Sequence, residues 1–173
     1  EFEDYQTPEG EVPATQLDIP WETCYSLYGW GWRKGATLKS SKKVLAVLIE
    51  VVAKGGNFLL GVGPKPDGTI EEQAVDRVTT IGKWLDKNGE AIYATVNARK
   101  YNDGNVWFTQ SKDGKKMYAM YALKEDDPEV PAVIEWTGNI PAGKKVTLLS
   151  TGKRVKCEVD GDRVKVYLPK HVD

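Results

Sequence analysis

An α/β unit followed by an antiparallel β-sandwich is the fold class the sequence predicts, and three observations predict it. Apolar residues recur at helical spacing across residues 40–54 and again across 71–88. Between them lies NFLLGV, residues 57–62, a short continuous apolar run of strand length. After residue 93 the period shortens to strand-like runs separated by glycine-containing turns. That change of period, near residues 93–97, divides the chain into residues 1–92 and 93–173.

The elements follow in order. The first 35 residues are rich in Pro, Gly, Glu and Trp and carry no helical period; they read as long loops plus a short strand near WETCYSL. Helix 40–54 is carried by Val44, Leu48, Val51 and Val52, with Leu45 and Val47 beside them. Ser40 or Ser41 can cap its start and Gly55-Gly56 can stop it. NFLLGV fits a strand buried on both faces. A PKPDG turn follows, and Thr69 with Glu72 matches the capping-box pattern. Helix 71–88 sets Ala74, Val78, Ile81 and Leu85 on one face and ends at Asn88-Gly89. Beyond it, NVWFTQ, KKMYAMYAL, AVIEWTG, KKVTLLS, RVKCEV and RVKVYLP read as strands. The turns NDGN, KDGK, PAGK, STGK and DGD separate them, as in an antiparallel sandwich.

Composition removes several function classes. The 24 Lys and Arg against 25 Asp and Glu give a net charge of −1, which offers nothing to nucleic acid or to an anionic membrane surface. No apolar run approaches the roughly 18 residues of a membrane span, so no membrane insertion is expected. Cys24 and Cys157 form no CxxC and read as small buried residues; the sole histidine, His171, excludes a multi-histidine metal site within the chain and reads as a surface residue.

GGNFLLGVGPKPDGTIEE, residues 55–72, has the outline of a phosphate loop: a strand, a Gly-x-Gly pair, a helix start. The chemistry argues otherwise. Pro64 and Pro66 remove backbone N–H donors that would cradle a phosphate, and Asp67, Glu71 and Glu72 would repel one. A tight βα turn is the better reading.

The same stretch, followed by IGKWLDKNGEAIYAT, resembles family 29 of the glycoside hydrolases, the α-L-fucosidases, whose usual forms are GGNLLLNVGPxxDGxI and GxWLxxNGEAIYGT. DYQTPE, PWETC and GWGW fall in that family's order, so the resemblance covers essentially the whole chain. It implies the last third of a (β/α)8-like catalytic barrel over residues 1–92 and a C-terminal β-sandwich over 93–173. A whole barrel needs about 250 residues. It implies retaining hydrolysis of terminal α-L-fucose, with a fucosylated glycan as substrate, the remaining N-terminal barrel portion as structural partner, no cofactor and no metal. It also implies a secreted or periplasmic enzyme whose signal peptide lies upstream.

A retaining glycosidase uses a nucleophile and an acid/base about 5–5.5 Å apart. The family's nucleophilic Asp matches no residue here, so the fragment alone is expected to be inactive. The acid/base position falls on Glu9 in DYQTPE, and a slip in this Pro/Gly-rich loop would move it to Glu11. Glu3 and Asp4 read as solvated loop charges. Trp30 matches an aromatic that packs against the C6 methyl of fucose, and Trp32 stands where the family usually has Tyr. Glu22 reads as structural. Gly61 replaces the family's usual Asn. The competing reading is a non-catalytic carbohydrate-binding or docking sandwich; residues 1–92 argue against it, since a pure module has no use for barrel elements.

Overall fold

The computed structural model describes residues 4–170. Glu3 and His171 lie outside the described residues.

Strand β1, Glu22–Ser26, runs into helix α1, Ser41–Ala53, and on to strand β2, Asn57–Gly61. The two strands pair in parallel, Cys24 opposite Leu59 and Ser26 opposite Gly61. The caps of α1 are those its sequence indicates. The Ser40 hydroxyl accepts from Lys43 N at 3.0 Å. At the other end Gly55 takes φ +80°, Gly55 N donates to Val52 O, and Gly56 N donates to Val51 O. Those two bonds are a Schellman closure, which needs a residue free to adopt positive φ. The second cap differs from expectation. Thr69 gives its N–H and its hydroxyl to Asp67 Oδ1, at 2.9 and 2.7 Å, and is therefore no N-cap. Helix α2, Glu72–Asn88, starts later, with Glu71 at the N-cap and no side-chain capping bond.

Within the first loop, residues 6–9 are drawn alongside β1 by two isolated bridges. Gln6 and Glu9 bridge Trp21 and Cys24 in parallel register, through Glu22 N to Gln6 O (2.9 Å), Cys24 N to Pro8 O (3.0 Å) and Gly10 N to Cys24 O (2.8 Å). A rudimentary third parallel strand thus flanks β1 on the side away from β2. Its residues, Gln, Thr, Pro and Glu, show no period-2 apolar pattern.

The parallel sheet is covered on one face only. Trp21, Thr23, Tyr25 and Leu27 alternate into the buried layer beneath the helices. Tyr25 and Leu27 meet Val44 of α1 and Ala74 and Ile81 of α2, with Phe58 and Leu60 of β2 packed against them. The other face carries Glu22, Cys24 and Ser26 beside Asn57, Leu59 and Gly61. Leu59 is 49% exposed, so β2 is not buried on both faces as its apolar run suggests.

After a 3-10 turn at Gly89–Ala91 come β3, Thr95–Asp103, β4, Val106–Ser111, and β5, Met117–Tyr121, joined as an antiparallel sheet in the order β3-β4-β5. Strands β6, Val133–Thr137, β7, Val146–Leu148, β8, Lys153–Asp160, and β9, Arg163–Tyr167, form a second sheet in the order β6-β9-β8-β7. A core of Ala98, Val106, Phe108, Trp136, Val164 and Val166 joins the two sheets, with the Phe108 and Trp136 rings edge to face at 5.8 Å. Strand β3 carries no sequence signal. Its TVNARKYND buries only Ala98, and its register shifts between Asn97 and Asn102. Cys24 and Cys157 are half-buried rather than buried.

Helix α1 lies between the parallel sheet and the first antiparallel sheet, which accounts for its apolar residues on more than one face. Leu48 and Ile49 pack with Ala91, Ile92, Met120 and Ala122, while Val44 faces the parallel sheet. At its C-terminal end Lys54, only 4% exposed, donates to Glu50 Oε1 at 2.6 Å and to Pro13 O at 2.7 Å, and stands 5.6 Å from the centre of the Trp107 ring of β4. One cation thereby joins the N-terminal loop, α1 and the antiparallel sheet. A buried ammonium is tolerated because its donors find oxygen partners. Helix α2 is less covered: Val75 and Val78 remain 48% and 40% exposed.

Candidate active site

Parallel strands present their C-terminal ends together, and the loops that leave those ends can converge on one point. Here the converging pieces are Glu9 with Gly10, the 26–35 loop after β1, and the 61–63 segment after β2. The Glu9–Cys24 bridge continues through the Cys24–Leu59 pair, so these three residues form one row across the open face. Glu9 is exposed at the end of that row. The chain then turns at Gly10, φ +71°, and Glu11 directs its carbonyl to the Thr23 hydroxyl at 3.0 Å. Thr23 is fully buried in the helix-facing row, opposite the open face, so the two glutamates are not equivalent.

Beside Cys24 lies a shallow depression of about 210 Å³. Cys24, Ser26, Trp30, Leu59, Gly61 and Gly63 contribute to its walls. Trp30 is not core: it is 77% exposed. An aromatic of this size standing in solvent at the rim of a depression is a surface for an apolar or amphipathic ligand face. Gly61 adds to the space. A Cβ there would meet Ser26 Cβ at 3.5 Å, an ordinary contact, so the site has room for a side chain it lacks.

The loop that carries Trp30 is fastened at several points. Gly29 N donates to Ser26 Oγ at 2.9 Å, and Tyr28 Oη donates to Gly63 O at 2.6 Å. Lys39 Nζ donates to Ser26 O at 2.6 Å and sits 4.6 Å from the Tyr25 ring centre. Burial pulls the Lys39 ammonium below its ordinary pKa and raises that of the Tyr25 phenol, since both charged forms lose solvation there. Trp32 is half-buried, stands outside the depression, and donates its indole N–H to Glu71 Oε2 at 3.3 Å. Trp30 thus lines the depression, Glu9 stands in register with Cys24 at its side without being among the lining residues, and Trp32 lies outside it. Glu22 lies on the open face, opposite Asn57. The Trp32–Glu71 bond spans 39 residues and left no trace in local sequence pattern.

The family model described as alpha-L-fucosidase matches residues 1–90. The chain is 34% identical over 174 residues to a tissue alpha-L-fucosidase of Bos taurus, covering 96% of this chain and 36% of the relative, and 32% identical to that of Homo sapiens, covering 92% and 35%. It thus spans about a third of the length of these relatives. Among solved structures, alpha-L-fucosidase isoenzyme 1 from Paenibacillus thiaminolyticus superposes with a TM-score of 0.81 at 28% identity, covering 96% of this chain and 41% of that one. A Thermotoga maritima alpha-fucosidase in complex with fucose gives 0.77 at 26% identity, covering 96% and 38%.

Proposed function

The chain belongs to the α-L-fucosidase family of glycoside hydrolases, and from that premise we propose that it is the C-terminal part of a retaining exo-α-L-fucosidase. Residues 1–92 are the last third of a (β/α)8-like barrel and 93–173 its C-terminal β-sandwich. The rest of the barrel, a structural partner in the same enzyme, covers the open face of β1 and β2 and supplies the nucleophilic Asp. The substrate is a fucosylated glycan, and the enzyme is secreted or periplasmic.

One observation carries the reading: Glu9 bridges Cys24 of β1 in parallel register on the uncovered face, toward the C-terminal end of that strand. That is where barrel enzymes carry their chemistry. Glu9 is the general acid/base. It protonates the departing glycosidic oxygen, and after the fucosyl–enzyme forms it takes a proton from the water that releases fucose. Glu11 is the fallback, disfavoured because its backbone turns to Thr23. Trp30 forms the apolar wall at the C6 methyl, and Trp32 belongs to the same sugar-binding loop. An apolar wall leaves a hydroxyl at C6 without a partner, which discriminates against it.

The test is Glu9→Ala in the full-length enzyme. Turnover should fall by about 10²–10⁴ on substrates with poor leaving groups, the usual contribution of a positioned acid/base. Aryl fucosides with good leaving groups should lose less, and azide should restore turnover by replacing the activated water. The same pattern in Glu11→Ala, with Glu9→Ala unaffected, overturns the assignment.

A further inference from the structure

Glu71 occupies the N-cap of α2 and makes no capping bond. At an N-cap a side-chain oxygen ordinarily accepts from the second or third N–H of the helix, and Ser, Thr, Asp or Asn does this best. Here the carboxylate is turned away from its own helix and accepts the Trp32 indole N–H across 39 residues. On its other side the Trp32 loop rests on Gly63. A Cβ at Gly63 would stand 2.4 Å from Trp32 N and 2.7 Å from Gly31 C, and Tyr28 Oη holds the Gly63 carbonyl. The loop is thus gripped between the β2–α2 turn and the helix start, with Trp30 as its exposed tip.

We propose that Glu71 is a positioning residue for sugar selectivity: through the Trp32 indole it latches the 29–35 loop, and so fixes the height at which Trp30 stands over the depression. The proposal rests on the reading of Trp30 as the wall at C6. The helix start gives up its cap to hold the loop. Stability and selectivity should therefore respond to substitution in opposite senses, which a merely structural Glu71 would not show.

Glu71→Ser in the full-length enzyme separates the two. Serine caps α2 better but is too short to reach Trp32. The melting temperature should hold or rise, while amides 29–35 exchange about tenfold faster, the scale of one lost charge-assisted hydrogen bond. Selectivity for an aryl α-L-fucoside over the matching α-L-galactoside, which differs by a hydroxyl at C6, should fall about five- to tenfold, since fixed apolar walls discriminate on that scale. Glu71→Gln keeps an acceptor and should retain parent behaviour. Trp32→Phe should reproduce the exchange and selectivity changes of Glu71→Ser without its gain in capping, and the double variant should add nothing further to either change. Unchanged exchange of amides 29–35 in Glu71→Ser overturns the latch. Trp30→Ala with parent selectivity instead removes the reading of Trp30 as the sugar wall, and exchange alone then decides for Glu71.

Discussion

The ring of Trp21 fills the space that a side chain at Gly56 would need: a Cβ there would stand 2.4 Å from Cζ2 and 2.5 Å from Cε2. Trp21 is 1% exposed and its indole N–H has no hydrogen-bond partner among the described residues, so packing alone holds the ring. The first residue of the buried β1 row is thereby locked under the turn that leads into β2.

Gly56→Ala should accordingly lower stability by about 1–3 kcal/mol, the cost of overpacking a site that cannot relax. Gly82 in α2 is the control, since nothing lies within 4 Å of its Cβ position. Gly82→Ala should raise stability by about 0.5–1 kcal/mol through helix propensity. Thermal unfolding of both variants reads the contrast, and equal shifts would remove the steric argument.

What the sequence made legible was local. Ser40, Gly55 and the run between them specify α1 because caps and period act over a few residues. The glycine turns of the second half mark strand ends for the same reason. What escaped depends on partners distant in the chain. β3 is polar because it buries little besides Ala98. Residues 6–9 run alongside β1 only through bridges to Trp21 and Cys24, which no local pattern encodes. Thr69 fails as a cap because Asp67 takes its hydroxyl first. At the candidate site, family resemblance pointed to Glu9 and Trp30. The tie from Trp32 to Glu71 required the fold.

Two glycines at the rim should behave differently. A Cβ on Gly63 meets only backbone, Trp32 N at 2.4 Å and Gly31 Cα at 2.9 Å, so the loop itself must move. Gly63→Ala should displace Trp30, changing tryptophan emission and lowering the melting temperature. Gly61→Ala meets nothing closer than 3.5 Å and should stay within about 0.5 kcal/mol of the parent. A fluorescence spectrum unaltered by Gly63→Ala would refute the account of the loop.

Asp103 ties the two antiparallel sheets at one corner. Its Oδ2 accepts from Thr137 N at 2.5 Å, Thr137 Oγ1 at 2.9 Å and Lys100 Nζ at 3.1 Å. The Thr137 backbone bond, then the hydroxyl, hold its carboxyl below the ordinary 3.8. A depressed carboxylate stabilises the fold above its unfolded pKa, and that stability is lost as pH falls through the folded value. The window therefore opens below about pH 4. Asp103→Asn should cost about 1 kcal/mol at neutral pH, discounted for the one-third exposure of the side chain. The gap between variant and parent should close in acid, and a gap that stays constant would contradict the assignment.

The isolated 173-residue chain should neither hydrolyse an aryl α-L-fucoside nor remain monomeric. On the proposed reading, residues 1–92 hold an acid/base candidate and lack the nucleophile that retention demands. Its parallel sheet ends at β2, an edge strand whose outward row includes Leu59 at 49% exposure. Unpaired edge groups beside an apolar row template association. Helix α1 should not contribute, because the antiparallel sheet already covers it through Leu48 and Ile49. Its amides should be well protected from exchange, while those of residues 57–61 should be protected only in the associated form. Leu59→Lys places a charge on the open row without touching the helix-facing core, and should shift size-exclusion toward monomer. Turnover above a buffer blank would contradict the missing nucleophile. A monodisperse parent chain with strong protection along β2 would show that this edge needs no further strand.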